Sequence, residues 1–160
     1  MVSTPNQTST LADTELPQPL SDFFTSWGVS FDELLGSFDL LTDRCQWIQR
    51  PIPTLTGPHA ARRFLLRAHR ILGLTTIDVD ILRTAVNGHT VFVERIDHLL
   101  RADGSTIGSA PVAGIIEFVD GQITHWREYF DGLQFAGRTI QTSALHSAGS
   151  LVRRVTQPWK

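Results

Sequence analysis

The chain has almost no cysteine: Cys45 is the single one in 160 residues. No internal disulfide can form, so a disulfide framework is excluded and a reducing, cytoplasmic setting is expected. Excess charge of one sign is also missing. Fourteen Lys and Arg against 16 Asp and Glu leave a net charge of -2, with no basic field to hold nucleic acid. No apolar run approaches the about 18 residues that span a bilayer, so no membrane partner is expected. The opening stretch MVSTPNQTSTLADTELPQP is polar, with no basic start and no apolar segment, and does not read as a leader. No His/Asp/Glu cluster has metal-ligand spacing, so neither a metal nor another cofactor is expected. No Ser or Cys nucleophile motif accompanies His69, His98 or His125, and Cys45 reads as a small buried residue.

What remains is an ordinary globular composition, 41% hydrophobic and 19% charged, in a length that suits one domain with its own core. Residues 1–17 read as an arm, 18–142 as the domain and 143–160 as a tail, with a short helix near 132–142. LSDFFTSW (20–27) has helical spacing and ends at Gly28. Ser30 and Glu33 fit a capping box with Leu34, Leu35 and Phe38 behind it. LLTDRCQWIQRPIP (40–53) contains a strand that Pro51 and Pro53 terminate. TGPHAARRFLLRAHRIL (56–72) is the strongest helix, with Pro58 in its first turn and Ala61, Phe64, Leu65, Ala68 and Leu72 on one stripe. After Gly73 the period changes to that of strands. Four runs follow, divided by Asn87-Gly88, Asp103-Gly104 and Asp120-Gly121, which are hairpin pairs. Three helices followed by an antiparallel meander predict an α+β domain, with helices on a strongly curved sheet around a deep apolar pocket.

Two strands carry charge inside apolar patterns. In HTVFVERIDHLL one face holds Val91, Val93, Arg95, Asp97 and Leu99, and the other Phe92, Glu94, Ile96, His98 and Leu100. Both faces are mixed, so alternation alone leaves the buried one open. In QITHWREYF, Glu128 shares a face with Trp126 and Phe130, and a carboxylate there needs a partner. If Arg95 lies across the sheet from Glu128, its guanidinium can serve both Asp97 and Glu128, having five donors in a fixed fork. Burial raises a carboxylate's pKa and a neighbouring arginine lowers it. Two acids sharing one arginine unequally can divide into a proton donor and a proton acceptor. The same spacing also serves plain packing salt bridges.

VFVERIDHLLRADG followed by GIIEFVDGQITHWREYFDGLQF resembles the limonene-1,2-epoxide hydrolase family, which pairs an E-R-x-D strand with a G-x-I-x-x-W-R-D-Y-F-D strand. The resemblance is clear over residues 90–135 and weaker back to about residue 20. It implies the cone-shaped α+β fold shared with nuclear transport factor 2 and ketosteroid isomerase. It also implies a cofactor-independent epoxide hydrolase acting on a small apolar, terpene- or polyketide-like substrate. Asp97 matches the acid, Arg95 the bridging arginine and Glu128 the base, where the family has aspartate. Trp47 and Gln49 fall on the water-positioning Tyr-x-Asn pair. By alternation and resemblance, Leu99, Val112, Ile116, Trp126 and Phe135 line the pocket. Relatives of this fold leave open an isomerase, dehydratase or cyclase with the same acid and base, or a non-catalytic lipophile-binding domain. Analogy with the fold class suggests a homodimer.

Overall fold

The structure is a computed structural model and describes residues 14–130. The expected helix near 132–142, the tail and Phe135 lie outside the described residues. Helix α1 (Gln18–Ser26) buries Leu20, Phe23 and Phe24. Helix α2 (Phe31–Ser37) starts at an extended Ser30, whose side chain accepts the Glu33 backbone N–H at 3.1 Å, one half of the expected capping box. A 3-10 turn over Phe38–Leu40 leads into strand β1 (Leu41–Gln49) and the short β2 (Leu55–Thr56). Helix α3 (Gly57–Leu72) buries Ala61, Leu65 and Ala68 and stops at Gly73. Strands β3 (Leu74–Asn87), β4 (Thr90–Arg101), β5 (Thr106–Val119) and β6 (Gln122–Phe130) complete the described chain. At the β5–β6 turn Asp120 and Gly121 have φ of 50° and 79°, the paired left-handed residues of a type I′ hairpin.

The sheet runs β2-β1-β6-β5-β4-β3. From β3 to β6 it is the antiparallel meander that the turn pairs predict. Strand β1 is the exception, since it lies parallel to β6, with Trp47 opposite Trp126 and Gln49 opposite Glu128. Parallel neighbours require a long crossover, and here α3 and four strands intervene between them. The mixed sheet therefore sets the first and last described strands side by side. Helix α3 packs on β1 and β3, and α1 packs on β3. The core between helices and sheet is mainly aromatic, with Phe23, Phe24, Trp27, Phe38, Trp47 and Trp126 in mutual ring contact. Among the described residues no helix is long and apolar enough to cross a membrane.

Candidate active site

The structure settles which face of β4 is buried. Val91, Val93, Arg95 and Asp97 point inward, while Phe92 and Glu94 are exposed. On β6, Trp126 and Glu128 point inward. Strand β5 lies between these two strands. Its Val112 opposes Arg95 and its Gly114 opposes both Val93 and Glu128. Arg95 and Glu128 thus stand diagonally across β5, and the position between them has no side chain. A Cβ on Gly114 would come to 3.1 Å from Arg95 Nη1 and 2.9 Å from Val93 Cγ1. Gly114 is what opens the lane through which the arginine reaches its second acid.

Arg95 Nε and Nη2 donate to Asp97 Oδ1 and Oδ2 at 2.8 and 3.0 Å, and Nη2 also donates to Glu128 Oε1. Trp47 Nε1 donates to the other oxygen, Glu128 Oε2, at 2.8 Å. The three charged side chains differ in access: Arg95 is 1% exposed, Glu128 4% and Asp97 12%. Trp47 lies flat on Trp126, with centroids 4.6 Å apart and planes at 8°, and Phe38 and Phe64 close around it. The guanidinium stands 4.9 Å from the centre of the Phe24 ring, so an aromatic surface backs the cation.

Burial is the largest influence on Glu128 and pushes its carboxyl above the ordinary 4.5; Arg95 pulls it down, Asp97 pushes it up, and hydrogen bonds from Arg95 and Trp47 pull it down again. Burial also opposes the charge on Arg95, but the Glu128 and Asp97 carboxylates outweigh it and hold the guanidinium protonated. Such a group can keep one acid ionised and let its neighbour carry a proton, because like charges around one cation resist double ionisation.

Gln49 is 6% exposed and opposes Glu128 across the β1–β6 pair. Its Nε2 has no protein partner among the described residues, and neither have Arg95 Nη1 and Trp126 Nε1. Gln49 thus has an unpartnered amide nitrogen at the strand position paired with Glu128. Trp47 stands on Glu128 itself.

A cavity of about 400 Å³ lies between α1 and β3, with Leu16, Phe24, Val79 and Ile81 on its apolar side and Asp78 and Asp80 on its polar one; Arg95, Asp97 and Glu128 do not line it. Val79 opposes Asp97 and Ile81 opposes Arg95 in the β3–β4 register, and Phe24 also backs the guanidinium. Of the expected pocket residues, Ile116 and Trp126 are sealed in the core, Val112 is buried across from Arg95, and Leu99 is partly buried against the core. Sequence reasoning missed Gly114, though a glycine inside a strand is a known mark of close approach. It also missed Phe24, Val79 and Ile81, which carry no local signal.

Away from the triad, His98 does acquire a serine. Its Nδ1 is 2.8 Å from Ser109 Oγ and its Nε2 3.0 Å from Asp80 Oδ2, on the opposite face of the sheet. Cys45 is fully buried, and burial pushes its thiol up to about 12, which removes it as a nucleophile. Among the described residues no group of three or more His, Cys, Asp or Glu could hold a metal.

The sequence pattern of the limonene-1,2-epoxide hydrolase catalytic domain matches residues 33–140. Epoxide hydrolase EphG of Mycobacterium tuberculosis (strain ATCC 25618 / H37Rv) is 37% identical over 70 residues, 44% of this chain and 46% of that protein. The match thus spans less than half of that relative's length. Among solved structures, an LEH-like epoxide hydrolase of M. tuberculosis superposes with TM-score 0.59 at 24% identity, over 78% of this chain and 88% of that one. A hypothetical protein with a ketosteroid isomerase-like fold from Catenulispora acidiphila DSM 44928 gives 0.63 at 16% identity, over 78% and 94%. NTF2-like and SnoaL-like proteins share the architecture. At these identities the superpositions establish the fold alone.

Proposed function

The chain belongs to the limonene-1,2-epoxide hydrolase family, and from that premise we propose that it is a cofactor-independent epoxide hydrolase. It adds water in one step to an apolar epoxide and yields a vicinal diol. Glu128 takes a proton from water, the water oxygen attacks an epoxide carbon, and the carbon–oxygen bond breaks. Asp97 gives its proton to the departing oxygen. Arg95 bridges both acids, so charge moves from one end of the guanidinium to the other without a change in its total. The proton then returns from Glu128 to Asp97 through solvent. The observation that supports this most is one buried guanidinium gripping two carboxylates, one sealed and one more open. A raised Glu128 is also the stronger base, and general bases work best with a pKa near the operating pH.

Gln49 and Glu128 hold the attacking water in this scheme, one by its free amide donor and the other as acceptor. A terpene- or polyketide-like substrate would approach from the α1–β3 cavity, whose Phe24 also backs the guanidinium and whose volume is within the usual range for small-ligand sites. Incubation with an apolar epoxide in ¹⁸O-water tests the chemistry. Label is expected in the diol on the first turnover, with product mass 18 above substrate in ordinary water. Label entering a protein carboxylate first overturns the one-step scheme. A product of unchanged mass makes the protein an isomerase or cyclase that uses the same pair.

A further inference from the structure

We infer that Trp47 is a positioning residue for the base: its indole N–H anchors one oxygen of Glu128 and holds that carboxylate in place as an anion, leaving the water to Glu128 and Gln49. This rests on the proposed reading of Glu128 as base.

The geometry is specific. The 2.8 Å bond joins two buried side chains 81 residues apart in sequence. It exists because β1 lies parallel to β6 with Trp47 opposite Trp126. The stack on Trp126 and the rings of Phe38 and Phe64 hold the indole in this orientation. With Arg95 on Oε1 and Trp47 on Oε2, each Glu128 oxygen meets an N–H from a different strand. The carboxylate plane is therefore fixed before any substrate arrives, which is the preorganisation a general base needs.

The chemistry of the donor adds the second half. Indole nitrogen donates and never accepts. If Glu128 took a proton on Oε2, that hydrogen would face the indole hydrogen and the bond would be lost. Trp47 therefore favours the ionised form, working with Arg95 against burial. Among the described residues, the other charged groups facing Glu128 from the packed elements are Arg95 and Asp97 of β4. Shortening the acid to aspartate would withdraw it from the indole, so Trp47 and the length of Glu128 are matched.

The test uses the full chain. The chain has four tryptophans, and the Trp47 indole resonance is assigned by its loss in Trp47→Phe. In ¹⁵N spectra of the wild type that resonance is expected to titrate with Glu128, at the midpoint of the acidic limb of kcat/KM, and to stop titrating in Glu128→Gln. Trp47→Phe keeps an aromatic ring but no donor. It is expected to move the acidic limb to higher pH and to lower kcat/KM below that limb on the order of tenfold per unit moved. KM should change little. Trp47→Tyr, whose phenol can donate, should move the limb less. An indole resonance indifferent to pH, or a limb unmoved in Trp47→Phe, overturns the positioning role, and the first needs no mutant to fold. If the indole titrates with Glu128 but no epoxide is turned over, the positioning stands and the hydrolase reading fails.

Discussion

The two ends of the Arg95 guanidinium differ, although both hold a carboxylate. Asp97 takes both of its hydrogen bonds from the one arginine on its own strand, and its side chain is 12% exposed. Glu128 is 4% exposed and takes its bonds from Arg95 on β4 and Trp47 on β1, inside a wall of aromatic rings. One end is open and held by neighbours in sequence. The other is closed and held by tertiary structure. A proton donor has to meet the substrate, whereas a base has to keep its direction while water comes to it. The asymmetry agrees with Asp97 as acid and Glu128 as base. It also predicts that the two ends break differently.

The largest effect should come from Arg95→Leu, which strikes both ends. It leaves two carboxylates unpaired, and breaking a buried pair from one side costs about 3–5 kcal/mol. Urea unfolding at neutral pH measures this. The loss should shrink in acid, where both carboxylates can protonate, and a loss independent of pH would mean that lost packing, not charge, dominates. Next come the acids. Asp97→Asn and Glu128→Gln are each expected to lower kcat by about 10²–10⁴-fold, the usual share of general acid–base catalysis. Both variants should still fold cooperatively. Full activity in either one would remove that residue from the mechanism and with it the division of roles.

Gly114→Ala should cost less, about 1–3 kcal/mol, the range for overpacking a core. The new methyl would crowd Val93 Cγ1 and Arg95 Nη1. Its effect should fall on the closed end, because the guanidinium is pushed off the lane to Glu128 while its bonds to Asp97 stay within one strand. A shift of the Trp47 indole titration to higher pH, with little change around Asp97, would show that. An equal disturbance of both ends would mean that the guanidinium moves as a rigid whole.

The same division explains what could be read from sequence. Whatever is held by neighbours in sequence was legible. The Ser30 cap, the α3 stripe ending at Gly73, the Asp120-Gly121 turn and the Arg95–Asp97 pair all follow from residues within a few positions of one another. The Arg95–Glu128 contact could be posed from strand alternation only as a condition, and resemblance to a known motif then supported it. The Trp47–Glu128 bond was not legible, because it depends on β1 crossing the whole domain to lie beside β6. No local pattern states that pairing. The buried face of β4 was ambiguous for a related reason: its inner face carries charges that only a partner two strands away makes tolerable. Gly114 was visible as a letter, but its purpose lies in its neighbours across β5.

The smallest expected effect concerns stability and pH at the closed end. Glu128 has its folded-state pKa raised above the ordinary 4.5, with burial as the main cause. The unfolded chain then loses this proton at lower pH than the folded one. The stabilisation linked to the protonated form is complete below the unfolded value and is lost as pH rises through the folded one, with a slope of at most about 1.4 kcal/mol per pH unit. Glu128→Gln mimics the neutral side chain and should escape this loss. The stability of the variant relative to the wild type is therefore expected to increase as pH is raised from 4.5, even though its activity is gone. Urea midpoints taken along a pH series for both proteins check it. A difference that stays flat with pH would mean that Arg95 and Trp47 fully offset burial, and that the closed end is no more strained than the open one.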